Sequence, residues 1–151
     1  MTFDPSAPPV VLASIGQRFL ARLIDGIIVG VPVVAALFAT TDVGQANNSN
    51  FSLPLPFILG SLLLGALYEI SLIATMGQTV GKRAMRIRVV RVDDGGLPGW
   101  GSASIRYLLP TAVGAIPILQ LLALLVYLRA LWDPMRQGFH DRAAGTIVVR
   151  V

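Results

Sequence analysis

An apolar run from Phe19 to Thr40, FLARLIDGIIVGVPVVAALFAT, sets the terms on which this chain can fold. It has roughly the ~20 residues that an α-helix needs to cross the hydrocarbon of a bilayer. Pro32 lies inside it, where a membrane helix tolerates proline better than a soluble one does. A second run, Phe57 to Thr75, is introduced by Pro54 and Pro56, residues that punctuate helix starts. A third apolar stretch extends from Tyr107 to Leu131. Across the 151 residues 54% are hydrophobic and 13% charged, against about a quarter charged in an ordinary globular domain. A soluble domain this small buries only about 60–70% of the surface its unfolded chain exposes. Lipid is the solvent that removes the difficulty.

Several classes of chemistry are excluded by composition. The chain has no cysteine, so disulfides, thiolate catalysis and Cys-based metal sites are ruled out. His140 is the only histidine, which rules out a His-rich metal site. The net charge of +4 is explained by basic residues flanking apolar spans, where they face anionic headgroups, and no nucleic-acid partner is expected. Residues 1–17 carry no Lys or Arg and include Pro5, Pro8 and Pro9. A cleaved signal peptide is not expected there; residues 1–13 read as a disordered lead before a membrane domain over 14–151.

The polar stretches give an orientation. Arg18 and Arg22 flank the first span, residues 41–52 hold no basic residue, and six of the twelve Lys and Arg lie in 76–106. The positive-inside rule places the N-terminus and the 76–106 loop in the cytoplasm. Within that loop, residues 84–92 alternate Met85, Ile87 and Val89 with Arg86 and Arg88, a period of two that predicts a strand ended by the turn Asp93–Gly96. Residues 146–151 alternate similarly. The third segment leaves two routes open. A single crossing puts the tail, 132–151, outside; a break at Gly114–Pro117 makes a re-entrant hairpin and brings the tail back to pair with 84–92. The expected fold is an all-α, multi-pass membrane protein, with spans at about 19–40, 57–75 and 107–131 and a small cytoplasmic strand pair.

Two carboxylates inside the spans are the sharpest chemical signal. Asp25 stands about six residues from the cytoplasmic end of the first span and Glu69 about six from that of the second, so at ~1.5 Å per residue both lie roughly 9 Å deep. Arg22 and Arg18, three and seven residues before Asp25, share its helix face. An ionised group in lipid costs at least ~2.5–3.5 kcal/mol near the centre and is usually paired or functional. The polar cluster Arg18, Arg22, Asp25 and Glu69 is therefore either a transport site or a structural set of snorkelling anchors and ion pairs. GQTVGKR at Gly77–Arg83 has three residues, not four, between its glycines and no Ser or Thr after the lysine, so it is not a phosphate-binding loop. Lys82, Arg83, Arg86 and Arg88 are read instead as a basic loop facing headgroups. His140 beside Asp141 could relay protons near neutral pH, or simply turn the chain into its last strand. No catalytic constellation, cofactor fingerprint or metal spacing appears, so no enzyme is expected.

Three motifs in order, RFLARLID at Arg18–Asp25, GQTVGKRAMRIRVV at Gly77–Val90 and RQGFHDRAAGTIVV at Arg136–Val149, resemble the RDD family of bacterial membrane proteins. The resemblance spans nearly the whole chain from about Ser14. It implies that the family's arginine is Arg18 and its first aspartate Asp25. The second aspartate matches Asp141, which the resemblance adds to the polar cluster, with Asp133 in LWDP as its competitor; the membrane it implies is the bacterial inner membrane. It also implies transport, since cation/proton antiport is attributed to at least one member, with monovalent cations and protons exchanged at an intramembrane carboxylate. Three short segments are few for a transporter, so a homo-oligomer or a larger membrane complex is expected. The rival expectation is a non-transporting accessory or scaffold subunit, whose basic cytoplasmic face binds lipid or a partner protein.

Overall fold

The computed structural model describes residues 10–40, 53–115 and 131–151. Helix α1 runs over Ile15–Thr40 and α2 over Leu55–Met76. At 26 and 22 residues and ~1.5 Å per residue, each exceeds the ~30 Å of a bilayer's hydrocarbon core. Each holds an 18-residue stretch of mean hydropathy 2.0 and is long and apolar enough to cross a membrane. Their apolar side chains face outward: Phe19, Val31, Phe38, Leu59 and Leu63 are all exposed. Such surface is stable only against an apolar medium or partner.

Each helix end has a local cause. At the start of α1, Ser14 N–H donates to Gln17 Oε1 (3.0 Å) and Gln17 N–H to Ser14 Oγ (3.1 Å), a reciprocal capping box that satisfies two otherwise orphaned donors. Helix α2 begins at Pro54 and ends at Gly77, whose φ of 67° lets its N–H return to Ile73 O. A Cβ on Gly77 would stand 2.6 Å from Val89 O, so this turn also needs glycine for space. The short helix α3, Val80–Ala84, is capped by Thr79, and β1 follows at Ile87–Arg91. Helix α4, Gly99–Ala115, precedes α5, Phe139–Ala143, and β2, Thr146–Arg150.

Strands β1 and β2 pair antiparallel, with Ile87 opposite Arg150 and Arg91 opposite Thr146. They fall within the two segments read as strand-like. Arg88 and Arg91 point outward while Ile87, Val89 and Val90 are buried. The free edge of β2 is not empty. Ala13 N–H donates to Val148 O (2.9 Å), and Arg150 N–H to Val11 O (2.8 Å). Residues 10–13, expected to belong to a disordered lead, therefore run alongside β2 and satisfy its outer backbone groups.

The core lies where the helix ends meet this sheet. Ala13, Ala21, Ile73, Ile87, Val89, Ala103 and Val148 are all but inaccessible there. The 76–106 segment, expected as a loop, supplies much of this region, and α4 begins well before the apolar stretch at Tyr107. Tyr107 Oη donates to Leu62 O (2.8 Å), which seats α4 against α2. The choice between crossing and returning falls on residues 116–130, outside the described residues. On either side of them the chain meets again, since Arg106 of α4 bonds Asp141 of α5.

Candidate functional site

The charged residues gather at the end of the helices that carries the sheet, in two adjoining groups. The first surrounds Asp25. Its Oδ1 accepts the Tyr68 hydroxyl and the Gly81 N–H, both at 2.8 Å, and its Oδ2 accepts the Thr79 hydroxyl at 2.5 Å. The carboxylate is 7% exposed and ties α1 to α2 and to the N-terminus of α3. Gly81 makes this approach possible: a Cβ there would stand 2.1 Å from Ala21 O and 2.9 Å from Asp25 Oδ1. The second glycine of GQTVGKR thus serves close backbone contact with α1, as the failed phosphate-loop spacing required some other role.

Glu69 receives Arg22 Nη1 on both oxygens, at 2.9 and 2.7 Å. Lys82 Nζ lies between the carboxylates, 3.8 Å from Asp25 Oδ2 and 3.9 Å from Glu69 Oε1. Asp25 and Glu69 therefore flank one ammonium from neighbouring helices. This corrects the reading of Lys82 as a headgroup-facing residue, because its side chain is buried while Arg83, Arg86 and Arg88 are exposed. The cause is local. Thr79 starts α3, and residue i+3 of a helix shares the face of its cap. Burial pulls the Lys82 ammonium below the usual lysine range, with Arg106 and Arg22 opposing its charge and Glu69 and Asp25 favouring it.

The second group surrounds Asp141. Arg18 Nη1 donates to its Oδ2 at 2.9 Å, Arg106 Nη1 donates to its Oδ1, and the Gly138 N–H adds a bond at 3.1 Å. Arg106 also donates to Thr146 Oγ1 at 2.6 Å, anchoring the start of β2. Burial alone would raise the Asp141 carboxyl, but the charges of Arg106, His140 and Arg18 hold it below the ordinary range. His140 Nε2 stands 3.3 Å from Asp141 Oδ1. Burial drives the imidazole down to about 4, outweighing the pull of Asp141. It is neutral at neutral pH, which disfavours the reading of a relay poised there.

Of the expected cluster, Arg18 meets Asp141 and Arg22 meets Glu69, whereas Asp25 takes its donors from Tyr68, Thr79 and Gly81. Lys82, expected in the basic loop, joins this cluster instead, and Arg106 is a member that the sequence reading does not name. Arg106 carried one usable signal: like Arg18, it is the basic residue on the threshold of an apolar run. Asp133 is placed elsewhere, its Oδ1 accepting Met135 N–H at 2.9 Å and Gln137 N–H at 3.3 Å in a local turn. A cavity of about 320 Å³ opens between α1 and α2 above the first group. Arg22, Asp25, Tyr68 and Glu69 form its polar end, and Val29 and Val33 lie among its apolar walls. Among the described residues no group of acidic or imidazole side chains is spaced to hold a metal ion.

Two long apolar helices, closed at one end by buried ion pairs and a small sheet, define a helical protein of membrane type. The chain belongs to the RDD family, whose model matches residues 12–145. No curated protein and no solved structure matches it.

Proposed function

We propose that this protein is a multi-pass inner-membrane accessory subunit, with its N-terminus in the cytoplasm, that carries no transport of its own. In this reading the charged groups are a lock. They fasten the cytoplasmic ends of α1, α2 and α4 to a platform made of α3, α5 and the sheet. The exposed arginines of that platform, Arg83, Arg86, Arg88, Arg142 and Arg150, face anionic headgroups and orient it for a larger membrane complex. The observation that carries the reading is the state of Asp25. Three donors already bond its oxygens and an ammonium stands beside it, so a mobile cation would have to compete with the chain's own groups. Purified protein in sealed vesicles should leave a proton gradient unchanged when sodium or potassium is added, and should co-purify with a larger assembly from native membranes. Cation-dependent proton flux above that of empty vesicles would sink this reading.

A second reading, monovalent cation/proton exchange, draws support from the cavity between α1 and α2, because it reaches both Asp25 and Glu69. It predicts flux from the purified protein that Asp25→Asn abolishes without loss of insertion. Full flux in that variant would remove Asp25 as the carrier.

A further inference from the structure

The Lys82 ammonium sits among oxygens rather than against any one of them. Its Nζ is 3.3 Å from Thr79 Oγ1, 3.8 Å from Asp25 Oδ2 and 3.9 Å from Glu69 Oε1. A charge-assisted N–H···O bond normally closes to about 2.7–2.9 Å, so neither carboxylate is drawn in tightly. The three oxygens come from α1, α2 and the turn into α3, and the lysine side chain that enters among them is buried. Glu69 is held from the other side by Arg22. Without the lysine, the first group keeps two carboxylates against the single guanidinium of Arg22, a local deficit of one positive charge, although Arg106 of the adjoining group also acts on this place. A single monovalent cation replaces the charge the lysine supplied, and a divalent one exceeds it.

We propose that Asp25 Oδ2, Glu69 Oε1 and Thr79 Oγ1 form a monovalent-cation site, which this chain fills with a tethered cation of its own, the Lys82 ammonium. Carboxylate and hydroxyl oxygens are hard ligands of the kind alkali and ammonium ions accept. The neighbouring cavity touches Asp25 and Glu69, and gives a small ion a way in once the lysine is removed. The proposal goes beyond the accessory reading and does not depend on it. It does constrain the exchange reading, in which Lys82 would first have to withdraw.

The test is to remove the tethered charge and offer a free one. Methionine reproduces the lysine stem as far as its ε carbon and vacates only the place of the ammonium. Lys82→Met protein in detergent micelles should melt several degrees higher in sodium, potassium or methylammonium chloride than in choline chloride at equal ionic strength, choline being too bulky to enter. The unaltered protein should melt alike in all four salts. Lys82→Ala opens more room, and should show its largest gain in methylammonium, which replaces both the charge and part of the lost stem. Variants indifferent to the choice of salt would overturn the proposal. So would an equal sodium dependence in the unaltered protein, because the site would then not be filled by Lys82. Failure of both variants to fold in every salt would count against it as well, since a free cation at this site should restore what was lost.

Discussion

Arg18 and Asp141, separated by 123 positions, meet at 2.9 Å, and that contact ties the start of α1 to the short helix before the last strand. Asp141 is almost fully enclosed, and its second oxygen belongs to Arg106. One carboxylate therefore holds two guanidiniums that are largely shut away from water and would be left without a counter-charge in its absence.

Asp141→Asn should be among the most damaging single changes in the protein. Removing one partner of a buried pair typically costs about 3–5 kcal/mol because the remaining charge is left uncompensated. Here two arginines are left. Thermal melting in detergent should fall steeply, and much more than for Arg22→Gln. Arg22 also pairs with a carboxylate, but its side chain is 49% exposed, so screening limits that contact to about 0–1 kcal/mol.

Acid should weaken the fold in two stages. His140 titrates at about 4 in the folded chain and near 6.5 when unfolded. Between those values the unfolded state binds more protons, so stability is complete above about pH 6.5 and declines as pH falls towards 4, by a few kcal/mol at most. Asp141, depressed below its ordinary 3.8, contributes a further loss only below that value. Denaturant melts from pH 7 down to 4 should show the first decline, and His140→Gln should flatten it. An equal slope in that variant would show that the burial of His140 is not its source.

Glycine at position 81 should be irreplaceable, while glycine at position 26 should tolerate alanine. A Cβ on Gly81 would meet Ala21 O at 2.1 Å, whereas one on Gly26 meets nothing within 4 Å. Relieving the clash at 81 means parting α3 from α1 and loosening the Gly81 bond to Asp25, an overpacking cost of about 1–3 kcal/mol or more. Melting temperatures of the two alanine variants, measured in parallel, decide the matter.

Reporters placed in the Asp93–Gly96 turn and after Val151 should report the same side of the membrane, the cytoplasmic one in the proposed orientation. The antiparallel pairing of Ile87–Arg91 with Thr146–Arg150 underlies this expectation. Opposite locations would mean that the two strands cannot pair in the inserted protein.

Much of the architecture is readable from residue patterns, because lipid and the sheet impose simple periodicities. Long apolar runs give α1 and α2, and the period of two gives both strands. The side of each charged contact is harder to read. Lys82 and Arg83 are adjacent cations in one motif, and only the capping of α3 by Thr79 turns the first inward and leaves the second outside. Arg22 and Arg18 lie on the same face of α1, yet one reaches α2 and the other α5. That division depends on which carboxylate the tertiary packing brings close, and spacing within one helix does not encode it. The cap made by Ser14 and Gln17 was legible in the sequence as S-x-x-Q, but it lies just ahead of the apolar run that dominates the region.

Strand β2 lies between β1 on one edge and residues 10–13 on the other, and Asp141 precedes it by a few residues. The piece that completes both the sheet and the second ion-pair group is therefore synthesised after every residue it joins. Until it emerges, Arg18 and Arg106 have been synthesised without the carboxylate that pairs with them, and the backbone groups of Val11 and Ala13 still lack the strand they will bond. A chain broken off before residue 141 would display exposed strand edges and unmatched guanidiniums together. Closure of the fold therefore waits on the segment from Asp141 to Arg150, which supplies both the missing carboxylate and the shared strand.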